Sequence, residues 1–193
     1  MHPSLAVDDA STSVLAFDSV SGQPRWLDEA ETRAWRGYRR MRALLDLQLA
    51  RDLAEDSGLS AADYDVLSTV SEAPGQRLRM TDLARWLLWS PSRLSHQITR
   101  MQQRGLVARE ECEDDRRGSM VVLTDHGRRT VEKAAPGHVA SVRRHMVDLL
   151  TDEELAVLAA LTQRVVARLS GGTDSSGRTV TGGPVATDGT GDG

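Results

Sequence analysis

The segment Trp89-Ser90-Pro91-Ser92-Arg93-Leu94-Ser95-His96-Gln97-Ile98-Thr99-Arg100-Met101 carries its own start signal, a buried face and an exposed face. Ser90 is a natural N-cap, because its short side-chain oxygen can accept from an N–H that the first helical turn leaves unpaired. Pro91 suits the first helical position, where no N–H is needed. Leu94, Ile98 and Met101 recur at helical spacing and form the inner face, and Gly105 stops the helix. At about 100° per residue, burying those three turns Ser92, His96, Thr99 and Gln103 outward, with Arg93, Ser95 and Arg100 on the flanks.

The neighbours of this helix complete a pattern. A short helix is predicted before it, from about residue 80, with Leu83, Ala84, Leu87 and Leu88 inward. After Gly105 the helical period is lost. Leu106-Val107-Ala108-Arg109-Glu110 reads as a strand, 113–118 as a charged turn, and Met120-Val121-Val122-Leu123 as a second strand. Helix, turn, helix and hairpin, over about 60–123, make a winged helix-turn-helix. The predicted fold class is mainly α with a small β-hairpin wing and a helical dimerisation region.

That arrangement points to duplex DNA. The major groove admits one α-helix, whose N-terminal residues meet base edges. A small polar start (Ser90, Ser92) lets the backbone approach, and the positive end of the helix dipole attracts phosphate. Arg93 and Arg100 are placed for guanine or phosphate, with phosphate the more frequent partner of such groups. For His96, reading a base edge and lying neutral on the surface are both open. Arg116 and Arg117 sit at the expected hairpin tip, where a guanidinium can enter a narrow minor groove. The acids before them, Glu113, Asp114 and Asp115, oppose this unless Asp115 pairs with an Arg of the domain; a solvated charged turn is the alternative.

Charge supports the same region. The chain of 193 residues has a net charge of −4, yet residues 77–109 hold seven Arg against one acid, Asp82. That segment is +6, which leaves −10 for the remainder. A basic segment in an acidic chain suits local polyanion binding, although a solvated charged face has the same signature. A winged-helix protein–protein adaptor without DNA binding is the alternative function; it would be expected to present apolar residues where Ser92, Arg93 and His96 stand.

Working outward, a first helix is predicted over 28–55, with Trp35, Tyr38, Met41, Leu45, Leu49 and Leu53 in a stripe that Leu44 and Leu47 widen. Its length and surplus apolar surface call for a partner such as a second copy. Ser60 and Asp63 form a capping box that opens the next helix, which Pro74-Gly75 ends. Thr124 caps a further helix that Pro136-Gly137 can bend and whose second part holds Val139, Val142, Met146 and Leu149. Thr151 and Glu154 open the last helix, with Leu155, Leu158, Leu161, Val165 and Leu169. Residues 1–27 form an N-terminal extension, partly ordered at best, and 170–193, rich in Gly, Ser, Thr and Asp, are predicted to be a disordered tail.

Asp115-Arg116-Arg117-Gly118 followed by Met120-Val121-Val122-Leu123-Thr124-Asp125-His126-Gly127 resembles the wing signature of the MarR family of bacterial regulators. Leu83-Ala84, the helix from Ser90 and Gly105-Leu106-Val107 are similar to that family's helix pair and first wing strand. The resemblance covers about 30–170, so that 28–169 would be a MarR-type domain. It implies a homodimer joined by helices 28–55 and 124–169, binding a pseudo-palindromic double-stranded operator, most simply as a repressor. It also implies that Arg117 is the wing residue of the minor groove, and that a small aromatic or anionic effector occupies a cleft. Trp35, Arg39, Tyr64 and Trp86 are candidates for that cleft, or for ordinary core and interface packing. The lone Cys112 falls at the end of the first wing strand, away from the place where some members sense oxidants.

Other chemistries find no support. His126, His138 and His145 are too few and too scattered for a metal site. No phosphate loop, nucleophile elbow or His-Glu-x-x-His motif occurs, so no catalytic residue, metal or cofactor is expected. With no membrane-spanning run and no secretory leader, a cytoplasmic protein is the simplest expectation.

Overall fold

A computed structural model of the chain describes residues 16–17, 24–112 and 115–171, with side chains for 25–111 and 118–171. The elements are β1 (Ala16–Phe17), β2 (Pro24–Arg25), α1 (Glu29–Ser57), α2 (Ala61–Ser71), β3 (Arg77–Arg79), α3 (Met80–Trp86), α4 (Pro91–Gln103), β4 (Val107–Cys112), β5 (Asp115–Leu123), α5 (Asp125–His145) and α6 (Asp152–Ser170). They fall into two compact units that part inside α5, after Val139. The fold is mainly helical with a small antiparallel sheet, as the sequence predicts.

The helix starts are set by side chains. Asp28 and Glu31 form a capping box for α1, Ser60 and Asp63 for α2, and Thr151 and Glu154 for α6. Each box satisfies two backbone N–H groups that the first turn cannot pair. Gly58 ends α1 at φ 69°, a left-handed conformation that costs glycine nothing. α2 ends at Ser71, before Pro74-Gly75, and Pro74–Gln76 form a separate 3₁₀ turn.

Four expectations are corrected. The sheet has three strands in the order β3-β5-β4, not two, because Arg77 pairs with Val122 and Arg79 with Met120. β5 already begins at Asp115, opposite Cys112, so the expected turn over 113–118 is largely strand. Leu88 is not inward but 90% exposed, because the chain there turns through φ 54° and carries its side chain into solvent. α5 runs through Pro136 but stops at His145, leaving Met146 outside it and Leu149 in a 3₁₀ turn.

The core of the first unit gathers Leu53 and Leu59, Val66, Leu67 and Val70 of α2, Leu83 and Ala84 of α3, and Leu94, Ile98 and Met101 of α4. It closes over Val107, Val121 and Leu123 of the sheet and Val131 and Ala134 of α5. Three of these residues seat α4 from below, and the sheet is joined to α5 by a tight junction. Thr124 Oγ1 accepts the Gly127 N–H at 2.9 Å and donates to the Gly105 carbonyl at 2.6 Å. A Cβ at position 127 would stand 1.9 Å from the Leu106 carbonyl oxygen, so only glycine fits there.

α1 behaves differently along its length. Leu53 is buried, but Trp35, Tyr38, Met41, Leu44 and Leu47 are each 44–48% exposed. In the second unit, Val157, Leu161, Val165 and Leu169 of α6 are exposed. Among the described residues, no helix is long and apolar enough to cross a membrane. Residues 1–15 and 172–193, which include most of the extension and tail predicted from sequence, lie outside the described residues.

Candidate nucleic-acid interface

α4 begins as its sequence requires. Ser90 is extended, and its Oγ accepts the Arg93 N–H at 3.2 Å, with Pro91 in the first turn. The turn before it is closed by the Trp89 N–H donating to the Ala84 carbonyl at 2.9 Å. With Leu94, Ile98 and Met101 fully buried, the side chains of Ser92, Arg93, His96, Thr99, Arg100 and Gln103 are exposed, as is Ser90. The structure therefore brings these seven predicted residues onto one continuous surface.

Two of the cations are held. The Arg93 guanidinium lies 4.1 Å above the Trp89 ring centre, a cation–π contact that lays it along the start of α4. Arg100 donates to Gln97 Oε1. Ser95 is half-buried and occupied: its Oγ accepts from Arg109 Nη2 at 3.0 Å, which ties α4 to β4. Thr99 Oγ1 donates back to the Ser95 carbonyl at 2.9 Å.

Behind this surface lies a buried polar group that sequence reasoning missed. Asp63 is 3% exposed and Gln97 is 3% exposed. Gln97 Nε2 donates to Asp63 Oδ1 at 2.8 Å, and Arg104 Nη1 donates to Asp63 Oδ2 at 2.7 Å. Burial alone would raise the Asp63 carboxyl. Hydrogen bonds from Arg104 and Ser60, with the Arg104 charge, outweigh it and hold the group below its ordinary value. The available signal was positional: Gln97 falls on the same helical face as Leu94, Ile98 and Met101, where a polar residue needs a partner.

Charge at the face is only partly neutralised. Arg77 pairs with Glu110 at 3.2 Å, Arg85 with Asp82 at 3.1 Å and Arg104 with Asp63. Among the described residues, no carboxylate stands within ion-pair distance of Arg79, Arg93, Arg100 or Arg109. The backbone at Arg116 and Arg117 lies in the first part of β5. Their side chains, and those of Asp115 and Cys112, lie outside the described residues.

The four aromatic-cleft candidates stand on three helices, Trp35 and Arg39 on α1, Tyr64 on α2 and Trp86 on α3. Trp35 stacks on Tyr38 along α1, with ring centres 5.9 Å apart, and Arg39 is exposed on the same helix. Tyr64 packs against the core and lies 4.4 Å from the His138 ring, whose Nδ1 is buried without a hydrogen-bond partner. Trp86 is 52% exposed. A cavity of about 460 Å³ lies elsewhere in the first unit, lined by Asp56, Arg104, Leu106, His126, Arg129 and Lys133 among others; none of the four candidates lines it. Among the described residues, no group of three or more His, Cys, Asp or Glu is gathered to hold a metal.

Comparison with known proteins gives one consistent result. Residues 57–118 match a family model described as the MarR family. The crystal structure of AbsC, a MarR family transcriptional regulator from Streptomyces coelicolor, is 49% identical. The match spans 76% of this chain and 99% of that one, with a TM-score of 0.73. Sco3205, a MarR family regulator from the same organism solved in complex with DNA, is 39% identical over 76% of this chain and 92% of its own, also with a TM-score of 0.73. The transcriptional regulator PecS of Dickeya dadantii is 30% identical over 109 residues, covering 55% of this chain and 64% of PecS.

Proposed function

The chain belongs to the MarR family of transcriptional regulators, and from that premise we propose that it is a homodimeric, sequence-specific DNA-binding repressor of the cytoplasm. The observation that carries the proposal is the split surface of α4. Its apolar face is locked in the core, while Ser92, His96, Thr99 and Gln103 face outward between two restrained arginines, Arg93 and Arg100. Such a helix enters the major groove with the small polar row toward the base edges and the guanidiniums toward the phosphates on either side. Ser90 and the N-terminal N–H groups of α4 face the backbone phosphate. Arg116 and Arg117 of the wing reach the flanking minor groove.

The homodimer is supported by apolar side chains that are exposed among the described residues. Trp35, Tyr38, Met41, Leu44 and Leu47 on α1, and separately Val157, Leu161, Val165 and Leu169 on α6, are the kind of side chains that a second copy buries. Two reading heads related by a two-fold axis fit a pseudo-palindromic operator whose half-sites lie about 10 bp apart, or a multiple of that. The proposed effector is a small organic anion. The cavity bounded by Arg104, His126, Arg129 and Lys133 has one carboxylate, Asp56, against these basic groups, and apolar walls from Leu59 and Leu106.

The adaptor reading has one observation in its favour. Trp86 and Leu88, at the turn that leads into α4, are 52% and 90% exposed. Titration of a fluorescent duplex pool decides between the two. A DNA reader binds at low salt and loses affinity by orders of magnitude between about 50 and 200 mM salt as counterion release is suppressed. An adaptor leaves the anisotropy flat at both concentrations.

A further inference from the structure

We propose that Asp63 is a positioning residue for DNA reading: from α2 it clasps α4 at Gln97 and, just past the helix end, at Arg104, and so fixes the orientation of the exposed face and of Arg100. The inference rests on the DNA-reading proposal above. A capping box requires one carboxylate oxygen of its acidic member and works at an exposed helix start. Asp63 does more. Its Oδ2 accepts from Ser60 Oγ at 2.8 Å and the Ser60 N–H at 3.1 Å, and also from Arg104, while Oδ1 is given wholly to Gln97. The carboxylate is thus buried in order to serve a second helix.

The chemistry of the clasp is directional. Gln97 presents its NH₂ to a carboxylate and its carbonyl oxygen to the Arg100 guanidinium. Reversing the amide would set oxygen against oxygen and NH₂ against guanidinium, so its orientation is determined by the two charges. Gln97 and Arg104 are seven residues apart, about two helical turns, and meet the same carboxylate. The apolar contacts of Leu94, Ile98 and Met101 bury area but set direction poorly. Two anchored points along the face resist both rolling and sliding of α4. Reading base edges depends on that orientation, whereas gripping phosphates of any sequence does not.

The test uses the full chain and two probes: the duplex that the wild-type protein selects from a randomised pool, and a random-sequence duplex of the same length. Asp63→Asn and Gln97→Leu are each expected to lower the ratio of selected to random affinity by tenfold or more. Ser60→Ala weakens the same capping box but leaves both contacts to the α4 side; it should lower the melting temperature and keep the ratio within twofold. An unchanged ratio in Asp63→Asn and Gln97→Leu, or an equal loss in Ser60→Ala, overturns the proposal. If the wild type selects no sequence, the DNA-reading proposal has failed. Amide exchange then tests the clasp itself: faster exchange across α4 in Asp63→Asn but not in Ser60→Ala supports it, and equal protection overturns it.

Discussion

Replacing Gly127 by alanine perturbs the joint between the sheet and α5 at a single carbon. The added Cβ would lie 1.9 Å from the Leu106 carbonyl oxygen and 2.9 Å from its carbon. Ordinary contact begins near 3.4 Å, so the start of α5 must retreat by about 1.5 Å, the difference between 3.4 and 1.9 Å. Two donated hydrogens cross the gap: Thr124 N–H goes to Leu106 at 3.3 Å, and the single Thr124 Oγ1 hydrogen is shared between Gly105 at 2.6 Å and Leu106 at 3.1 Å. A retreat of that size breaks them, at about 1 kcal/mol each. The expected loss is about 2 kcal/mol, or a melting temperature lower by roughly 6 °C for a domain of this size. Thermal and urea unfolding at one fixed protein concentration measure it, because association shifts apparent stability by mass action. A loss below about 0.5 kcal/mol, the range of ordinary surface substitutions, would show that α5 is not seated on Leu106.

Other perturbations separate the remaining parts of the account. Leu88→Asn relieves a left-handed backbone that costs a leucine about 1–2 kcal/mol; with the side chain 90% exposed, the melting temperature should rise, and a fall would mean that Leu88 packs on something. Asp63 is held below its ordinary pKa, so its contribution to stability is present above the unfolded value near 4 and is lost as pH falls through the lower folded value. The acid limb of the stability curve should therefore flatten in Asp63→Asn, and an unchanged limb would contradict the shift. Arg117→Ala should weaken operator binding without dissociating the dimer, and lower the slope of log affinity against log salt by about 2, one phosphate-like contact per protomer. An unaltered affinity would remove Arg117 from the interface.

Much of this molecule is legible in its sequence because the signals are local. Ser90, Ser60 with Asp63, and Thr151 with Glu154 act within four residues, and each begins a helix where spacing and capping chemistry place it. The outward row of α4 follows from Leu94, Ile98 and Met101 alone. Most of what escaped is non-local. β3 is three residues long, and only its pairing with β5, more than forty residues later, makes Arg77–Arg79 a strand. Leu88 has an inward helical spacing, but the turn's positive φ overrides it. Gln97 finds its partner 34 residues earlier in Asp63, which the capping box had already accounted for. The glycine of the Leu-Thr-x-x-Gly run is readable as a pattern, but its cause, the Leu106 carbonyl, becomes visible only in three dimensions.

Sedimentation equilibrium of the purified chain, alone and with a duplex it selects, bears most directly on paired reading heads. The chain mass is 21.1 kDa. Two copies alone at micromolar concentration, and two copies on one duplex at low salt, are the predicted result. A species that stays at one chain mass and leaves the duplex free contradicts it.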